Sequence, residues 1–339
     1  MRARDLGLAC GALPPGDRNA ITDVPGVLVG HCTIADGPVC TGVTAILPHD
    51  GNMFQMKPIA APAVTNGFGK SVGLVQLGEL GTLETPILLT NTFAVAPCAG
   101  ALIRRAIAAD PEIGRRTATV NPVVLECNDG YLNDIQALAV TEADALAAIE
   151  AATEDFPVGA VGAGTGMSCF GFKGGVGTAS RRLRLDGATY HLGVLVLANF
   201  GRSGDLRLPD GRRVDPEAGV EEEQGSCIVV IATDIPLECR QLTRVGRRAG
   251  AGLAWCGSFW GNGSGDIALA FTTANPVAQE PDGEFQDRRV LAEGRIDRLF
   301  QATAEATQEA VLDALAAAET TEGRNGHRRV GLAEILDRG

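Results

Sequence analysis

The sequence is poor in histidine, in aromatic residues and in basic charge. Only four histidines occur among 339 residues, and aromatic residues make up 4% of the chain. There are 29 basic against 41 acidic residues, which gives a net charge of −12 and a pI near 4.9. This balance disfavours binding to DNA or RNA, whose phosphates attract basic surfaces. The arginines at 181–184 and 246–248 are interpreted as solvated faces or interface contacts.

Paired cysteine motifs and long apolar runs are also missing. The nine cysteines include no C-x-x-C pair, and their scatter favours reduced thiols over a disulfide framework. The start MRARDLGLACGALPPGDR lacks the ~7–15-residue apolar core of a secretory signal. No run approaches the ~20 apolar residues of a membrane span. We therefore expect a cytoplasmic protein with no nucleic-acid or membrane partner.

What the sequence does have is a large apolar fraction, divided into short strand-like and longer helix-like segments. Apolar residues make up 45% of the chain, enough for an extensive core. Strands are predicted at 27–30, 42–47, 86–90, 190–198, 227–232 and 267–273. Helices are predicted at 99–109, 141–153, 242–257 and 296–319, and a surface loop at 201–224. This order favours an α+β fold in one domain, with helices covering the sheets.

A glycine-rich segment, GAVGAGTGMSCFGFKGGVG at 159–177, looks at first like a dinucleotide-binding loop. Such a loop lies between a strand and a helix, because the helix N-terminus binds the phosphates. Here Gly166 is followed by more glycine instead of a helical pattern. The segment is therefore interpreted as a structural loop or the edge of a pocket.

The stretch GVEEEQGSCIVVIATDIP, residues 219–236, places a serine between an acidic loop and a predicted buried strand. A hydrolase elbow of the form G-x-S-x-G does not occur in the chain, and no motif surrounds any histidine. Two histidines lie at strand ends, one lies on a strand and one lies in a basic tail: His31, His49, His191 and His327. A histidine-based triad is therefore disfavoured at Ser226.

Ser226 can act without histidine if it is the first residue of a chain, because its own α-amine then serves as the base. A free α-amine has a pKa of ~7.7–8.0, close to neutrality. Attack of Ser226 Oγ on the carbonyl of Gly225 would give an ester by an N→O acyl shift, and water would then release the new amine. Taken alone, however, Gly225-Ser226 reads as an ordinary turn before a strand, because most Gly-Ser dipeptides in that position are simply turns.

Several long and unusual sequence motifs occur along nearly the whole chain. Together they resemble the L-aminopeptidase/D-esterase-amidase family, which includes β-peptidyl aminopeptidases. The motifs are RARDLGL…NAITDVPGVLVGH (2–31), GELGTLETPILLTNT (78–92), ECNDGYLND (126–134), GTGMSCFGFKGGVGTASR (164–181), LANFG (197–201), GSCIVVIATDIPL (225–237), GNGSGDIALAFTTAN (261–275) and AAAETTEGR (316–324).

The resemblance implies an N-terminal-nucleophile hydrolase with a four-layer α/β/β/α sandwich of the ornithine-acetyltransferase type. It implies cleavage of the 1–339 domain before Ser226 into an α chain, 1–225, and a β chain, 226–339. Homotetramers or larger assemblies of such pairs are implied as well. The implied substrates are small peptides or amino-acid amides and esters with a free N-terminus, D- or β-amino-acid compounds among them.

Five catalytic positions follow from matching the family's motifs to this sequence. Ser226 is implied as the nucleophile, with Ser264 and Asp266 orienting it and relaying protons to its amine. Some relatives carry Glu at the position of Asp266. Asn199 is implied as the oxyanion-hole residue, and Tyr131 as a hydrogen-bonding partner of the reacting oxygen. Without the resemblance, each would read as a turn or loop residue.

Glu126 is our candidate for binding the substrate ammonium, because a buried carboxylate requires a partner. Asp129 and Asp134 compete for that role, and a turn or cap function would explain any of the three. No motif with zinc-ligand spacing occurs, so we expect neither a metal nor a cofactor.

Two alternatives stay open. One is an acyltransferase of the same fold that transfers an acetyl group, although ornithine acetyltransferases use threonine as the nucleophile. The other is a non-catalytic assembly protein whose chain stays uncut.

Overall fold

A computed structural model describes residues 1–216 and 225–336 of the chain, so the acidic run 221–223 lies outside the described residues. The strands are β1 (Leu28–Asp36), β2 (Val39–Leu47), β3 (Met56–Gly67), β4 (Ile87–Asn91), β5 (Val123–Cys127), β6 (Ser168–Cys169), β7 (Phe172–Lys173), β8 (Gly175–Leu185), β9 (Ala188–Asn199), β10 (Ser226–Thr233), β11 (Gly265–Ala278), β12 (Thr321–Glu322) and β13 (Arg328–Arg329). The helices are α1 (Leu74–Leu80), α2 (Val95–Ala109), α3 (Glu142–Glu150), α4 (Cys239–Gly246), α5 (Ala249–Trp255), α6 (Asp297–Ala317) and α7 (Leu332–Leu336).

Two mixed sheets organise the chain. The first has the order β1-β2-β4-β5 and is parallel only between β4 and β5. The second has the order β3-β11-β10-β9-β8 and is parallel only between β10 and β11. The predicted α+β class is confirmed, and β10, the strand that begins at Ser226, is the central strand of the second sheet.

Three hydrophobic clusters form the core. One joins the two sheets and includes Val29, Leu89 and Val230. Another combines the second sheet with α4, α5 and α6, and the third combines the first sheet with α2 and α3. Val229 belongs to the cluster with α6, whereas its neighbour Val230 belongs to the cluster between the sheets. Because β10 is covered on both faces, its apolar run is continuous and does not alternate with polar residues.

The long helix α6 buries charged side chains as well as apolar ones. Arg181 is fully buried on β8, and its guanidinium lies 3.2 Å from Glu305 and 2.9 Å from Glu309 of α6. The interpretation of the cluster 181–184 as solvated is therefore wrong for Arg181. Successive side chains of a strand point to opposite faces, so only Arg182 and Arg184 of this cluster are exposed.

Three local predictions differ from the structure. The predicted helix 242–257 is two helices, α4 and α5. The described part of the predicted surface loop, 201–216, is exposed at many positions, 209–213 among them, but it also contributes Leu206, Leu208 and Val214 to the core. Strand β3 was not predicted, because its prolines resemble breakers. At the edge of a sheet, however, a residue without an N–H is tolerated.

One described segment, Thr92–Ala109, is long and apolar enough to cross a membrane by length and composition. This finding differs from the expectation that no run reaches such a length. In the structure α2 occupies most of this segment and packs in the third core cluster through Val95, Cys98 and Leu102. Only 28% of the segment is buried, so α2 packs one face against the core and leaves much of its remaining surface accessible.

Candidate active site

Ser226 lies at the start of the central strand β10. At the same edge of the sheet the neighbouring strand β9 ends and the neighbouring strand β11 begins. In the register of the sheet Ser226 pairs with Asn199, the last residue of β9, and with Gly265, the first residue of β11. The Ser226 side chain is buried, and Gly265 N donates a 3.2 Å hydrogen bond to Ser226 Oγ. The sequence folds in this way because the apolar residues after Ser226 require a position inside the sheet.

Gly225 precedes Ser226 in a position where a side chain would not fit. A Cβ atom at Gly225 would lie 2.1 Å from the carbonyl oxygen of Asn199 and 2.6 Å from Phe200 Cα. Backbone atoms cannot move aside as a flexible side chain can, so only glycine is accommodated here. The bond predicted to be cleaved therefore joins Gly225, which is confined by the backbone of Asn199 and Phe200, to Ser226, which is held in β10.

Gly225 and Asn128 each line two cavities. The first, here the Glu126 cavity, has a volume of about 290 Å³ and is lined by Phe68, Lys70, Thr92, Glu126, Asn128, Gly225, Ser226 and Gly263. The second, here the Tyr131 cavity, has a volume of about 740 Å³, and its lining includes Asn128, Tyr131, Ser168, Asn199, Gly225, Arg324 and Arg329. The structure thus distributes the sequence-predicted residues over two neighbouring cavities.

Glu126 is the last but one residue of β5 and is almost fully buried. Its carboxylate accepts a 2.7 Å hydrogen bond from Lys70 N and a further bond from the hydroxyl of Thr92. Of the three candidate carboxylates, only Glu126 lines a cavity with Ser226. Asp129 is fully buried on Thr41 and Asn133, and burial raises the pKa of its carboxyl to about 6.

The side-chain amide of Asn199 is held at both ends by backbone groups. Its Oδ1 accepts a 2.9 Å hydrogen bond from Ser168 N, and its Nδ2 donates a 2.9 Å bond to Asn128 O. An amide nitrogen carries two N–H groups, so one further donor is available for another acceptor. These two hydrogen bonds fix the orientation of the Asn199 side chain, because one requires an acceptor at Oδ1 and the other requires a donor at Nδ2.

Ser264 and Asp266 flank Gly265, the register partner of Ser226, and both are buried. Ser264 Oγ has no hydrogen-bond partner among residues 1–216 and 225–336. Asp266 pairs in register with Cys227. Burial, and secondarily the charge of Asp266, raises the pKa of the Cys227 thiol well above its usual range. This effect places the carboxylate of Asp266 within electrostatic range of the start of β10.

Tyr131 is 36% exposed and is packed against the C-terminal hairpin formed by β12 and β13. Its ring stacks on His327 with 4.6 Å between ring centres, and the Arg329 guanidinium lies 3.7 Å from its ring centre. His327 Nδ1 also lies 2.8 Å from the carbonyl oxygen of Tyr131. The segment interpreted as a basic tail is therefore a hairpin that supports Tyr131.

None of the four histidines, all of which are described, lines either cavity. His31 contacts Thr44 and Pro157, and His49 contacts the carbonyl of Met56. The side chain of His191 lies 3.5 Å from Asp234. The arrangement gives Ser226 no imidazole base.

A buried lysine that the sequence reasoning missed holds the glycine-rich loop. Lys173 is fully buried, and its Nζ donates to the carbonyl oxygens of Gly164, Met167 and Gly174 at 2.9, 3.0 and 2.7 Å. Burial lowers the pKa of Lys173 to about 7. The same loop presents Ser168 N to Asn199, so the interpretation of 159–177 as the edge of a pocket is confirmed. No local sequence signal marks this role, because the three carbonyls belong to an irregular loop.

Comparisons with known proteins agree with this geometry. The model of peptidase family S58 matches residues 19–329. The chain is 40% identical over 364 residues to the β-peptidyl aminopeptidase BapA of Sphingosinicella microcystinivorans, with 98% of this chain and 90% of the relative covered.

Two solved structures are similar over almost their full length. The PH0078 protein from Pyrococcus horikoshii OT3 is 47% identical with a TM-score of 0.94, covering 99% of this chain and 98% of that one. The L-aminopeptidase D-Ala-esterase/amidase from Ochrobactrum anthropi, a prototype serine aminopeptidase, is 35% identical with a TM-score of 0.89, covering 99% and 97%. That enzyme has a variant of the Ntn hydrolase fold.

The two mixed sheets and the serine at the start of the central strand define a hydrolase with this variant Ntn fold. The chain belongs to peptidase family S58. The resemblance drawn from the sequence is confirmed, and with it the class of self-processing serine aminopeptidase.

Proposed function

We propose that Ser226 cleaves the bond that precedes it and then acts as the N-terminal nucleophile of an aminopeptidase. Ser226 Oγ attacks the carbonyl carbon of Gly225, the peptide nitrogen leaves as the new α-amine, and water hydrolyses the resulting ester. The domain 1–339 thereby becomes an α chain, 1–225, and a β chain, 226–339. The position of Ser226 within the ladder supports this proposal, because β10 keeps the new N-terminus fixed after cleavage.

In the mature enzyme the freed α-amine accepts the proton of Ser226 Oγ, since no histidine lines either cavity. We assign Ser264 and Asp266 to the orientation of that amine. A buried hydroxyl without a partner is destabilising by about 1–3 kcal/mol, so Ser264 Oγ requires an explanation. Hydrogen bonding to the amine that cleavage exposes supplies one.

We assign Asn199 to the oxyanion hole, with its second Nδ2–H donating to the oxygen that becomes negatively charged. Its amide is already oriented by Ser168 N and Asn128 O, and such preorganised donors stabilise the transition state most effectively. Tyr131 lines the same cavity and is assigned as a second hydrogen-bonding group.

The observation that carries the proposal is that Glu126 and Ser226 line one cavity of about 290 Å³. A carboxylate in the same cavity as the nucleophile can bind the ammonium of a substrate whose first carbonyl reaches Ser226. The substrates are therefore short peptides, amides or esters with a free amino group. Cleavage of β-amino-acid compounds is included in the proposal on the strength of the β-peptidyl relative.

The finer architecture belongs to the proposal as well. We infer four layers in the order α/β/β/α, supported by one core cluster between the sheets and one on the outer side of each. We infer a cytoplasmic homotetramer or larger assembly of αβ pairs. The exposed apolar side chains Val75, Leu80 and Ile107 support such an assembly, because contact with another subunit would bury them.

A substrate panel tests the function against the acyltransferase alternative. Purified protein is assayed with L-alanine amide, D-alanine amide and β-alanine amide, with their N-acetylated forms, and with acetyl-ornithine as an acetyl donor. We expect hydrolysis of at least one amide and none of its acetylated form. Acetyl transfer from acetyl-ornithine without amide hydrolysis would contradict the proposal.

A further inference from the structure

A third cavity, here the Arg298 cavity, lies at the end of the second sheet opposite Ser226. Ser226 and Thr233 begin and end β10, which places them about 23 Å apart at ~3.3 Å per residue. Ile235 and Pro236 follow that far end and line the cavity, whose volume is about 550 Å³. Arginines dominate its charged lining: Arg184, Arg289, Arg295 and Arg298. The Arg298 cavity is therefore separate from the site of the proposed peptidase chemistry.

The positive charge of the Arg298 cavity is not neutralised by nearby carboxylates. None of its four arginines makes an ion pair with another residue of the described ranges. Asp186 is the single acidic residue among the described lining, so four arginines against one aspartate leave an excess of three positive charges. Glu293, close by in the sequence, is instead paired with Arg240 and Arg244. An excess of this kind in a chain of net charge −12 favours a bound anion.

The arginines converge from separate parts of the chain. Arg184 belongs to β8 and Arg298 to the first turn of α6, while the other two lie between β11 and α6. Arg298 Nη1 donates a 2.8 Å hydrogen bond to Arg184 O, which holds this guanidinium at the cavity and leaves its other nitrogens for another acceptor. Guanidinium groups stay charged at physiological pH and repel one another at close range. A multiply charged anion between them removes this repulsion, whereas water only weakens it.

The other wall of the cavity is apolar. Ile235 is fully buried, and Tyr190 and Leu291 are half-buried against the core cluster that includes α6. Leu291 N donates a 3.0 Å hydrogen bond to Pro236 O, which fixes the segment before α6 against the end of β10. The volume of about 550 Å³ lies within the ~300–1,000 Å³ typical of small-molecule sites. The cavity thus offers an apolar surface beside a cluster of cations.

We propose that the Arg298 cavity binds an organic phosphate that carries at least two negative charges. Its phosphate oxygens bind the guanidinium forks, which match phosphate geometry, and its organic part lies against Tyr190, Ile235 and Leu291. The excess of three positive charges favours a di- or triphosphate over a single carboxylate. The site takes no part in peptide hydrolysis, so this inference is independent of the proposed function.

Isothermal titration calorimetry tests the site with three probes in buffer free of divalent cations. ADP carries both the phosphates and an organic part, pyrophosphate lacks the organic part, and adenosine lacks the charges. Arg295→Gln and Arg298→Gln each remove one guanidinium from the cavity. Arg182→Gln is the matched control, because Arg182 is an exposed arginine of β8 that pairs with Asp17 and does not line the cavity. Thermal unfolding followed by circular dichroism reports whether each variant is folded.

ADP should bind the unmodified protein at least about tenfold more tightly than either pyrophosphate or adenosine does. Each glutamine variant at the cavity should weaken ADP binding about tenfold, the size expected for hydrogen bonds to a charged group, and Arg182→Gln should weaken it less than about twofold. Absence of saturable ADP binding would overturn the proposal, and so would an equal loss of affinity in Arg182→Gln. Adenosine or pyrophosphate binding as tightly as ADP would likewise overturn it, since an organic phosphate needs both parts of the cavity. None of these outcomes changes the expectation for amide hydrolysis, which the substrate panel measures separately.

Discussion

Ser226 and Asn199 are register partners at the end of two antiparallel strands, so one ladder sets the distance between the nucleophile and the amide assigned to the oxyanion. Strand pairing at the centre of a sheet is among the most rigid arrangements in a protein. The two residues are 27 positions apart in the sequence, but their relative position does not depend on the loop between them.

Asn199→Asp should abolish most self-cleavage and peptidase activity. The aspartate keeps an acceptor for Ser168 N but places an oxygen against Asn128 O and removes the donor to the oxyanion. Loss of one such donor costs about 10²–10³ in kcat. Asn121→Asp is the control, because Asn121 Nδ2 makes a comparable 3.0 Å bond to Gly73 O and lines neither cavity. Self-cleavage of each variant is followed on a denaturing gel. Equal losses in Asn199→Asp and Asn121→Asp would refute the assignment of Asn199 to the oxyanion hole.

Glu126→Gln should separate self-cleavage from peptidase activity. The glutamine keeps an oxygen that can accept from Lys70 N, but it loses the charge that binds the substrate ammonium. Self-cleavage needs no ammonium and should proceed, whereas kcat/KM for amino-acid amides should fall about ten- to hundredfold. Asp134→Asn is the control, since Asp134 lines neither cavity. An unchanged kcat/KM in Glu126→Gln would exclude Glu126 as the ammonium site.

Lys173→Met should destabilise the fold and slow self-cleavage together. The replacement leaves the carbonyls of Gly164, Met167 and Gly174 without their donor, and each unsatisfied buried group costs about 1–3 kcal/mol. The loop that presents Ser168 N to Asn199 should loosen as a result. Denaturant midpoints and cleavage rates are compared with those of Lys57→Met, which loses an ion pair with Glu84 and a cation–π contact with Phe54 away from both cavities. A cleavage rate equal to that of the control would remove Lys173 from the support of the site.

His31 should make the protein less stable in mild acid. Burial lowers the pKa of this imidazole to about 4, from an ordinary value of 6.5. As the pH falls from 6.5 to 4, the unfolded chain takes up a proton at His31 that the folded chain does not, so stability falls. At pH 4.5 the loss amounts to about 2 to 3 kcal/mol relative to pH 7.5.

The His31 effect is measured as the free energy of unfolding at pH 7.5 and 4.5, with and without His31→Asn, in uncleaved Ser226→Ala protein. Comparing the parent with His31→Asn isolates the contribution of His31, because Asp129 acts in the opposite direction. The raised pKa of Asp129 adds stability as the pH falls through about 6. His31→Asn should lose less stability in acid than the parent does. The same acid loss in both proteins would contradict the buried neutral state of His31.

The fold could be predicted from sequence where local patterns were strong. The apolar run of β10, the alanine-rich α3 and the long α6 were all predicted, because composition and periodicity alone mark them. Strand β3 escaped because its prolines Pro58 and Pro62 are allowed only by an edge position that the sequence does not reveal. Strands β5 and β8 were not predicted either, and the first glycines of β8 resemble a loop.

Only part of the site could be predicted from the sequence, because several of its residues depend on contacts between segments that are distant along the chain. Ser226 draws attention by its place between an acidic loop and a buried strand, but only the resemblance to the family distinguishes it from an ordinary turn residue. Lys173 does not draw attention, because its role depends on carbonyl groups of an irregular loop that surround it only in the fold. Arg181 was misread for the same reason: its acidic partners lie more than a hundred residues further along the chain.

The central claim is that the α-amine released at Ser226 is the catalytic base, and intact-mass analysis during maturation tests it most directly. Freshly purified protein is sampled over time for mass and for hydrolysis of an amino-acid amide, with Ser226→Ala as the uncleaved reference. The account predicts that fragments 1–225 and 226–339 form and that activity rises in proportion to them. Ser226→Ala should stay full-length and inactive. Full activity in protein whose Gly225–Ser226 bond is still intact would contradict the account.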